Sequence, residues 1–193
     1  MFFGTVYSQQ VPGKEQTQSI LISNGTIHVG NGDLLENAFV GFDKGKINYV
    51  STEQPDMYYE INIDAANKHI YPGFIALNTS LGLGEIDAVR ATIDEDEIGD
   101  FLPHVRSIIA YNAESKVVET LRMNGVLLAQ IAPNGGIISG SSSVVQLDAW
   151  NWEDAVICYD QGIHLIWPSP YSRSGYSYYR GPSVIKKSDK YES

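Results

Sequence analysis

The chain has 193 residues, which at about 150 residues per domain is enough for one domain or slightly more. Its formal net charge is −10 and it has no basic cluster, so a nucleic-acid or anionic-membrane partner is not expected. No run of about 18 apolar residues occurs, so no transmembrane helix is predicted. The single cysteine, Cys158, excludes an internal disulfide framework and is predicted to be a buried, unreactive thiol.

The first ten residues, MFFGTVYSQQ, change from apolar to small and polar. Residues 6–8 resemble the small-x-small site that closes a secretory signal, with Gln9 as the first mature residue. One interpretation is a signal peptide that starts upstream of Met1, and the other is a ragged, disordered terminus. The first is preferred. It predicts an exported protein, periplasmic or extracellular, with residues 1–18 as a signal remnant and linker.

Residues 19–71 are typical of an all-β meander with Gly and Asn turns. Asn24-Gly25 predicts a tight turn between strands 19–23 and 26–29, and Lys44-Gly45 predicts a turn between strands 37–43 and 46–50. Strands 60–64 and 69–71 are expected to flank a polar turn. No helical period is present in this region.

The pattern changes at Pro72-Gly73. A short strand at 74–77 and a short buried segment at 107–111 precede a helix at 113–123, capped by Asn112 and ended by Asn124-Gly125. The continuous apolar run 126–131 predicts a strand buried on both faces. A helix, a glycine and a buried strand in this order are typical of an α/β sheet.

Residues 134–143 are predicted to form a Gly/Ser-rich loop. Ser141 stands where a phosphate-binding loop needs its lysine, so a phosphate site is rejected. A strand at 144–147, an amphipathic stretch at 150–157 and an apolar run at 162–167 follow. The aromatic tail from Pro168 is either a stacking platform for sugar or an irregular segment that needs further chain to pack on; the second is preferred.

Two groups of residues could hold a cation or a substrate. Residues 94–97 are four consecutive carboxylates, but adjacent acids point in different directions, so a solvated face is preferred over a cation site. The four histidines are far apart in sequence and have no ligand spacing. His28 and His164 are expected in the core or at an edge, and only His104, in a loop, is a candidate for a site.

The ordered segments ILISNGTIHVGNG, KGKINYV and INIDAANKHIYPGFI resemble the N-terminus of the amidohydrolase superfamily, in particular its imidazolonepropionase-like and dihydroorotase-like members. In these proteins the strands of a small β-sandwich lead through a Pro-Gly-Phe-Ile motif, here residues 72–75, into the first strand of a TIM barrel. Residues 124–130 and 134–147 resemble the second barrel strand and its Gly/Ser-rich loop. The resemblance covers residues 19–160.

The resemblance implies hydrolysis of carbon–nitrogen bonds other than peptide bonds, with one or two divalent metals that activate water. The family's first metal ligands form a His-x-His just after Pro-Gly-Phe-Ile-Asp. Here Ala76 stands at the aspartate position, and Asn78 and Ser80 stand at the histidine positions. An amide and a hydroxyl are poor zinc ligands, so no metal is expected on this segment, although the family uses zinc. Asn78, Ser80 and His104 remain pocket candidates, no catalytic residue is assigned, and whether the chain is an enzyme stays open.

The expected fold class is therefore mixed β and α/β. Residues 19–71 would form the β-sandwich portion of a composite domain, and residues 72–193 the first β/α units of a truncated TIM barrel, since a barrel needs about 250 residues. The expected partners are a small-molecule substrate and, for packing, the missing C-terminal portion or a second copy. The alternatives are a non-catalytic relative that binds at the barrel mouth and a secreted β-rich module that binds glycan.

Overall fold

The computed structural model describes residues 11–86, 89–173 and 185–188, so the predicted signal segment lies outside the described residues. The chain divides into two compact units. The first contains the residues up to Phe74 together with Gly125–Leu127, and the second contains Ile75–Asn124 and the residues from Leu128 on. None of the helices in the described ranges is long and apolar enough to cross a membrane.

The first unit is a five-stranded sheet. Its strands are β1 (Ile20–His28), β2 (Leu34–Asp43), β3 (Lys46–Ser51), β4 (Ile61–Asp64) and β5 (His69–Ile70). The order is β3-β2-β1-β4, and β5 also pairs with β1. β1 is antiparallel to β2 and parallel to both β4 and β5. Its buried cluster consists of Ile27, Ala38 and Val40, with Leu35, Phe42 and Ile70 packed against it.

The predicted tight turn at Asn24-Gly25 is wrong, because both residues lie inside the continuous strand β1. Asn24 has a φ of 60°, and the register with β2 shifts on both sides of Gly25. The pair therefore forms an irregularity of the β-bulge kind, in which a left-handed residue bends a strand without reversing it. A side chain at position 25 would also meet Ile70, since an added Cβ would lie 2.6 Å from its Cδ1.

The second predicted turn, Lys44-Gly45, is confirmed. Both residues have positive φ, 50° and 71°, and Asp43 pairs with Lys46 across them. A two-residue hairpin turn of the primed type requires this conformation. β4 and β5 flank a turn at residues 66–67, as predicted, and each of them pairs in parallel with β1.

Four further strands form a second sheet in the order β6-β7-β8-β9, and all of its residues except Phe74, Val126 and Leu127 belong to the second unit. Its strands are β6 (Phe74–Thr79), β7 (Val126–Ile131), β8 (Ile138–Gln146) and β9 (Val156–Leu165). Three helices lie between them: α1 (Ser107–Ala110), α2 (Lys116–Met123) and α3 (Trp152–Ala155). A 3-10 turn covers Arg90–Thr92, and β10 (Tyr171–Arg173) pairs with β11 (Ile185–Lys187) as a separate ribbon.

The predicted helix and the strand after it are present, with a later helix start. Ser115, not Asn112, is the N-cap of α2, because its side chain accepts the N–H of Val117. The strand prediction for 126–131 matches β7, but burial is complete only at Ala129 and Ile131, and Leu127 is 51% exposed. The expectation of burial on both faces therefore fails at the start of this strand.

The connection from β6 through α2 to β7 is of the β-α-β kind. The N–H of Phe74 donates to the carbonyl of Gly125 and that of Ala132 to the carbonyl of Thr79, so the pairing advances in the same direction along both strands. That is the pattern of a parallel pair. β8 is then antiparallel to both β7 and β9, so the parallel order does not continue within this sheet.

The predicted Gly/Ser loop at 134–143 is largely strand, since β8 begins at Ile138. Glycine is needed there because neighbouring backbone passes very close: a Cβ on Gly140 would lie 2.5 Å from the carbonyl oxygen of Val105. Backbone bridges join the two segments in parallel, Phe101 to Ile138 and Arg106 to Ser141. The glycines thus admit a neighbouring chain segment, a long-range contact that local sequence does not reveal.

Candidate functional site

The end of β6 carries the two positions where the family has histidines. Asn78 is exposed and has a φ of 50°, while Ser80 is half-buried and lies just outside the strand, which ends at Thr79. Side chains two residues apart share a strand face only where the backbone is regular and extended. The left-handed conformation of Asn78 and the end of β6 at Thr79 interrupt such a backbone, so a shared face cannot be inferred for Asn78 and Ser80.

A hydrogen-bonded ladder crosses the sheet at this level. The N–H of Asn78 donates to Oε1 of Gln130 at 3.3 Å, and Nε2 of Gln130 donates to Oγ of Ser142 at 3.2 Å. Ser142 in turn donates to the carbonyl of Gly162 at 3.4 Å. These contacts tie four neighbouring strands together, so the amide of Gln130 and the hydroxyl of Ser142 are occupied within the protein.

His104, the third pocket candidate, lines a cleft of about 510 Å³. Asp94, Glu97 and Arg106 contribute charged groups to this cleft, whereas Asn78 and Ser80 do not line it. The side chains of Asp94, Glu97 and His104 form no hydrogen bond or ion pair with any other described residue and are exposed. The cleft therefore presents two open carboxylates, an imidazole and a guanidinium to a polar ligand.

Arg106 is held in place by Asp160 of β9. Its Nε lies 2.9 Å from Oδ2 and 3.1 Å from Oδ1, and Nη2 lies 2.8 Å from Oδ2. Such a forked pair fixes the plane of the guanidinium. The hydrogen bond from Arg106 holds the pKa of the Asp160 carboxyl below its ordinary value, and the same bond raises the pKa of Arg106.

Ser141 reinforces this arrangement by donating to Oδ1 of Asp160 at 2.8 Å, while the N–H of Asp160 donates to Oγ of Ser143 at 3.1 Å. Asp160 itself has a φ of 49°, a conformation that aspartate tolerates better than most residues. The hydroxyl groups of Ser141 and Ser143 in β8 are thus already hydrogen-bonded within the protein. The sequence did not single out Arg106 or Asp160, since they are 54 residues apart and no local motif joins them.

The buried hydroxyl of Tyr111 has no hydrogen-bond partner within the described ranges. Burial raises the pKa of Tyr111 to about 12. The ring packs close to Gly82, where an added Cβ would lie 2.6 Å from Cε2. An unpaired buried hydroxyl costs about 1–3 kcal/mol, so this tyrosine lowers the stability of the second unit.

The acidic run behaves as a surface segment. Asp94, Asp96 and Glu97 are exposed and Glu95 is half-buried, and Asp96 forms an ion pair with Arg90 at 3.1 Å. Among the described residues, no group of three or more His, Cys, Asp or Glu side chains is arranged to hold a metal ion. Cys158 is half-buried in β9 rather than fully buried as predicted.

Comparison with known proteins supports the fold. The structure of an amidohydrolase from Thermotoga maritima MSB8 aligns with a TM-score of 0.71 at 23% identity, over 78% of this chain and 39% of that one. The chain thus shares the fold of part of an amidohydrolase and spans about two fifths of its length. A prolidase complexed with N-methylphosphonate-L-proline, at 24% identity, and an uncharacterized protein, at 25%, align over about a third of this chain and 17% of theirs, with TM-scores of 0.31. No family model and no curated protein matches the sequence.

Proposed function

We propose that this chain is the N-terminal part of an amidohydrolase-like hydrolase that acts on carbon–nitrogen bonds, other than peptide bonds, of small molecules. The observation that carries the proposal is the shared fold with an amidohydrolase, at a TM-score of 0.71 over 78% of the chain. That relative is more than twice as long as the aligned part, so the proposed activity belongs to a longer protein.

The parallel pair of β6 and β7, joined through α2, supports the start of a TIM barrel at residue 72 in this proposal. The antiparallel strands β8 and β9 would then be a hairpin inserted after the second barrel strand. The exposure of apolar side chains on β6 supports the view that further polypeptide covers this strand, because Phe74, Ile75 and Leu77 are 57–72% exposed. A C-terminal portion or a second copy would bury them.

A divalent metal, which the family resemblance implies, does not fit the residues present at the family's first ligand position. Asn78 offers an amide and Ser80 a hydroxyl, and neither matches the imidazole or thiolate that zinc prefers. No step of hydrolysis is therefore assigned to a metal on this chain. Its proposed contribution is the charged cleft of Asp94, Glu97, His104 and Arg106, which would bind a small polar substrate whose N–H groups donate to the two carboxylates.

A non-catalytic relative is the second candidate, favoured by Asn78 and Ser80 at the histidine positions. The two candidates separate when the full-length protein is incubated with cyclic imides, hydantoins and N-acyl amino acids and the products are followed by mass spectrometry. Turnover supports the hydrolase. Binding in calorimetry without turnover supports the binding protein, and neither turnover nor binding contradicts both.

Replacement of His104 by alanine should raise KM or Kd in this assay, because the imidazole lines the cleft. His164→Ala is the matched control, since His164 lies in β9 and does not line the cleft. Equal effects of the two substitutions would contradict the assignment of the cleft as the binding site.

The metal content of the purified protein tests whether Asn78 and Ser80 are unable to hold zinc. After dialysis the purified protein should hold no stoichiometric zinc at the end of β6, with Asn78→His/Ser80→His as the comparison variant. About one zinc per chain in the unmodified protein, lost on His104→Ala, would overturn the argument and make metal-dependent catalysis on this chain the better proposal.

Two further parts of the proposal concern location and assembly. Export predicts that the mature N-terminus is Gln9, which sequencing of secreted protein would show; an intact Met1 in secreted protein contradicts it. The need for covering chain predicts that the isolated 193-residue polypeptide self-associates, which sedimentation would detect as a mass that rises with concentration. A clean monomer at all concentrations would show that no further chain is needed.

A further inference from the structure

Two histidines that are distant in sequence lie side by side in the first unit. Nε2 of His28 is 3.0 Å from Nδ1 of His69. Tyr71 stacks on His28, with ring centroids 4.1 Å apart and an interplanar angle of 15°. His28 is half-buried and His69 is exposed, so both residues are in contact with solvent.

The strand register explains why the two rings meet. Thr26 of β1 is paired with His69 of β5 in a parallel ladder, and residues two apart on a strand share a face. His28 is therefore the diagonal neighbour of His69, at a distance that imidazole rings can span. The backbone hydrogen bond from Thr26 to the carbonyl of Lys68, 2.9 Å long, holds the two strands in this register.

The separation of the two nitrogens matches that of a pair of ligands on one metal. Nitrogens bound at about 2.0–2.1 Å lie about 2.9 Å apart when the angle at the metal is 90°, and about 3.3 Å apart at the tetrahedral angle. The observed 3.0 Å is close to the first value. Angles near 90° are those of tetragonal Cu²⁺ and Ni²⁺, and imidazole is a preferred ligand of both.

We propose that His28 and His69 form a surface site for a divalent transition metal, with Cu²⁺ bound most tightly. The two imidazole nitrogens are the protein ligands, and water fills the remaining positions, since no third His, Cys, Asp or Glu joins them within the described residues. The ring centroids, 5.2 Å apart, show the rings nearly end to end, so the two nitrogens face each other and the exposed His69 side chain must rotate before both lone pairs point at one ion. Tyr71 keeps the plane of His28 in place while this happens.

The number of protons on the neutral pair of His28 and His69 does not change when the metal binds. One of the two facing nitrogens carries the hydrogen that the other accepts. When the metal binds, that hydrogen moves to the other nitrogen of the same ring, so both rings remain neutral ligands. No net proton is released when the neutral pair binds the ion.

The test is titration of the untagged 193-residue chain with Cu²⁺, followed by calorimetry and electron paramagnetic resonance. We expect one Cu²⁺ with an axial spectrum and hyperfine coupling to two imidazole nitrogens. His69→Gln should leave one coupled nitrogen and lower the affinity by more than the roughly 10- to 100-fold that loss of a second-shell partner costs. His69 is exposed, so this substitution is expected to leave the fold intact.

His28→Gln is the second variant and should have the same effect. Variants His104→Ala and His164→Ala are the controls and should keep the two-nitrogen spectrum, because both residues belong to the second unit and the pair belongs to the first. The proposal is overturned if the chain binds no stoichiometric Cu²⁺, or if the two-nitrogen signal survives both His28→Gln and His69→Gln. Circular dichroism of each variant excludes unfolding as the cause of any loss.

Discussion

Gly140 lies in β8 at the point where the backbone of Val105 passes closest to it. An alanine Cβ at this position would lie 2.5 Å from the carbonyl oxygen of Val105 and 2.9 Å from its Cβ. The backbone φ of 128° is, in addition, one that residues with a side chain rarely adopt. The substitution Gly140→Ala therefore combines a steric conflict with backbone strain, and the conflicting atom is backbone that cannot rotate away.

The expected loss of stability follows from these two terms. A residue held in a sparsely populated backbone region costs about 1–3 kcal/mol. Overpacking at a tight contact costs about 1–3 kcal/mol more. The sum of about 2–6 kcal/mol is a large fraction of the 5–15 kcal/mol by which domains are stable. With a urea m-value of about 2 kcal/mol/M, the midpoint should fall by about 1–3 M.

The assay is urea unfolding at fixed protein concentration, followed by the fluorescence of the three tryptophans, all of which lie in the second unit. Gly84→Ala is the matched control, because no heavy atom lies within 4 Å of its added Cβ and its φ is not positive. This control should change stability by less than about 1 kcal/mol, and in the stabilising direction. A Gly140→Ala midpoint equal to that of Gly84→Ala would refute the close approach of residues 101–106 to β8.

Two other substitutions test side-chain interactions within the second unit. The pKa of Asp160 is lowered by the bond from Arg106, so the pair stabilises above the ordinary carboxyl pKa of about 4 and its contribution is lost as the pH falls through the lowered value. Asp160→Asn should lower the urea midpoint at pH 7 and reduce the loss on acidification; an unchanged acid profile would contradict the pair. Tyr111→Phe removes a buried hydroxyl without a partner, so stability should stay equal or rise by about 1 kcal/mol. The wild type should lose stability between pH 10 and about pH 12, where the unfolded tyrosine ionises first, and the variant should lack that loss.

The features that sequence alone determined are those set by neighbouring residues. Lys44-Gly45 forms the predicted hairpin turn, because two adjacent residues that accept positive φ suffice to reverse a strand. The run 126–131 is strand β7, and the helix before it ends at Met123, just before Asn124-Gly125. Likewise, Asp94, Asp96 and Glu97 of the acidic run are exposed, because charged side chains are almost never fully buried unless they are paired. Each of these outcomes needed only a short window of sequence.

The features that only the tertiary structure decided depend on what lies across the sheet. Asn24-Gly25 has the composition of a turn, yet β1 continues through it, because β2, β4 and β5 all pair along its length. Residues 138–143 have the composition of a loop, yet they form a buried strand, because their glycines admit the backbone of Val105 and their serines bond Asp160 and Gly162. The pairing of Arg106 with Asp160, and of His28 with His69, depends on strand register over 54 and 41 residues. Glycine and asparagine permit left-handed backbone both in a turn and in a bulge. Long-range hydrogen bonds between strands determine which of these two structures forms.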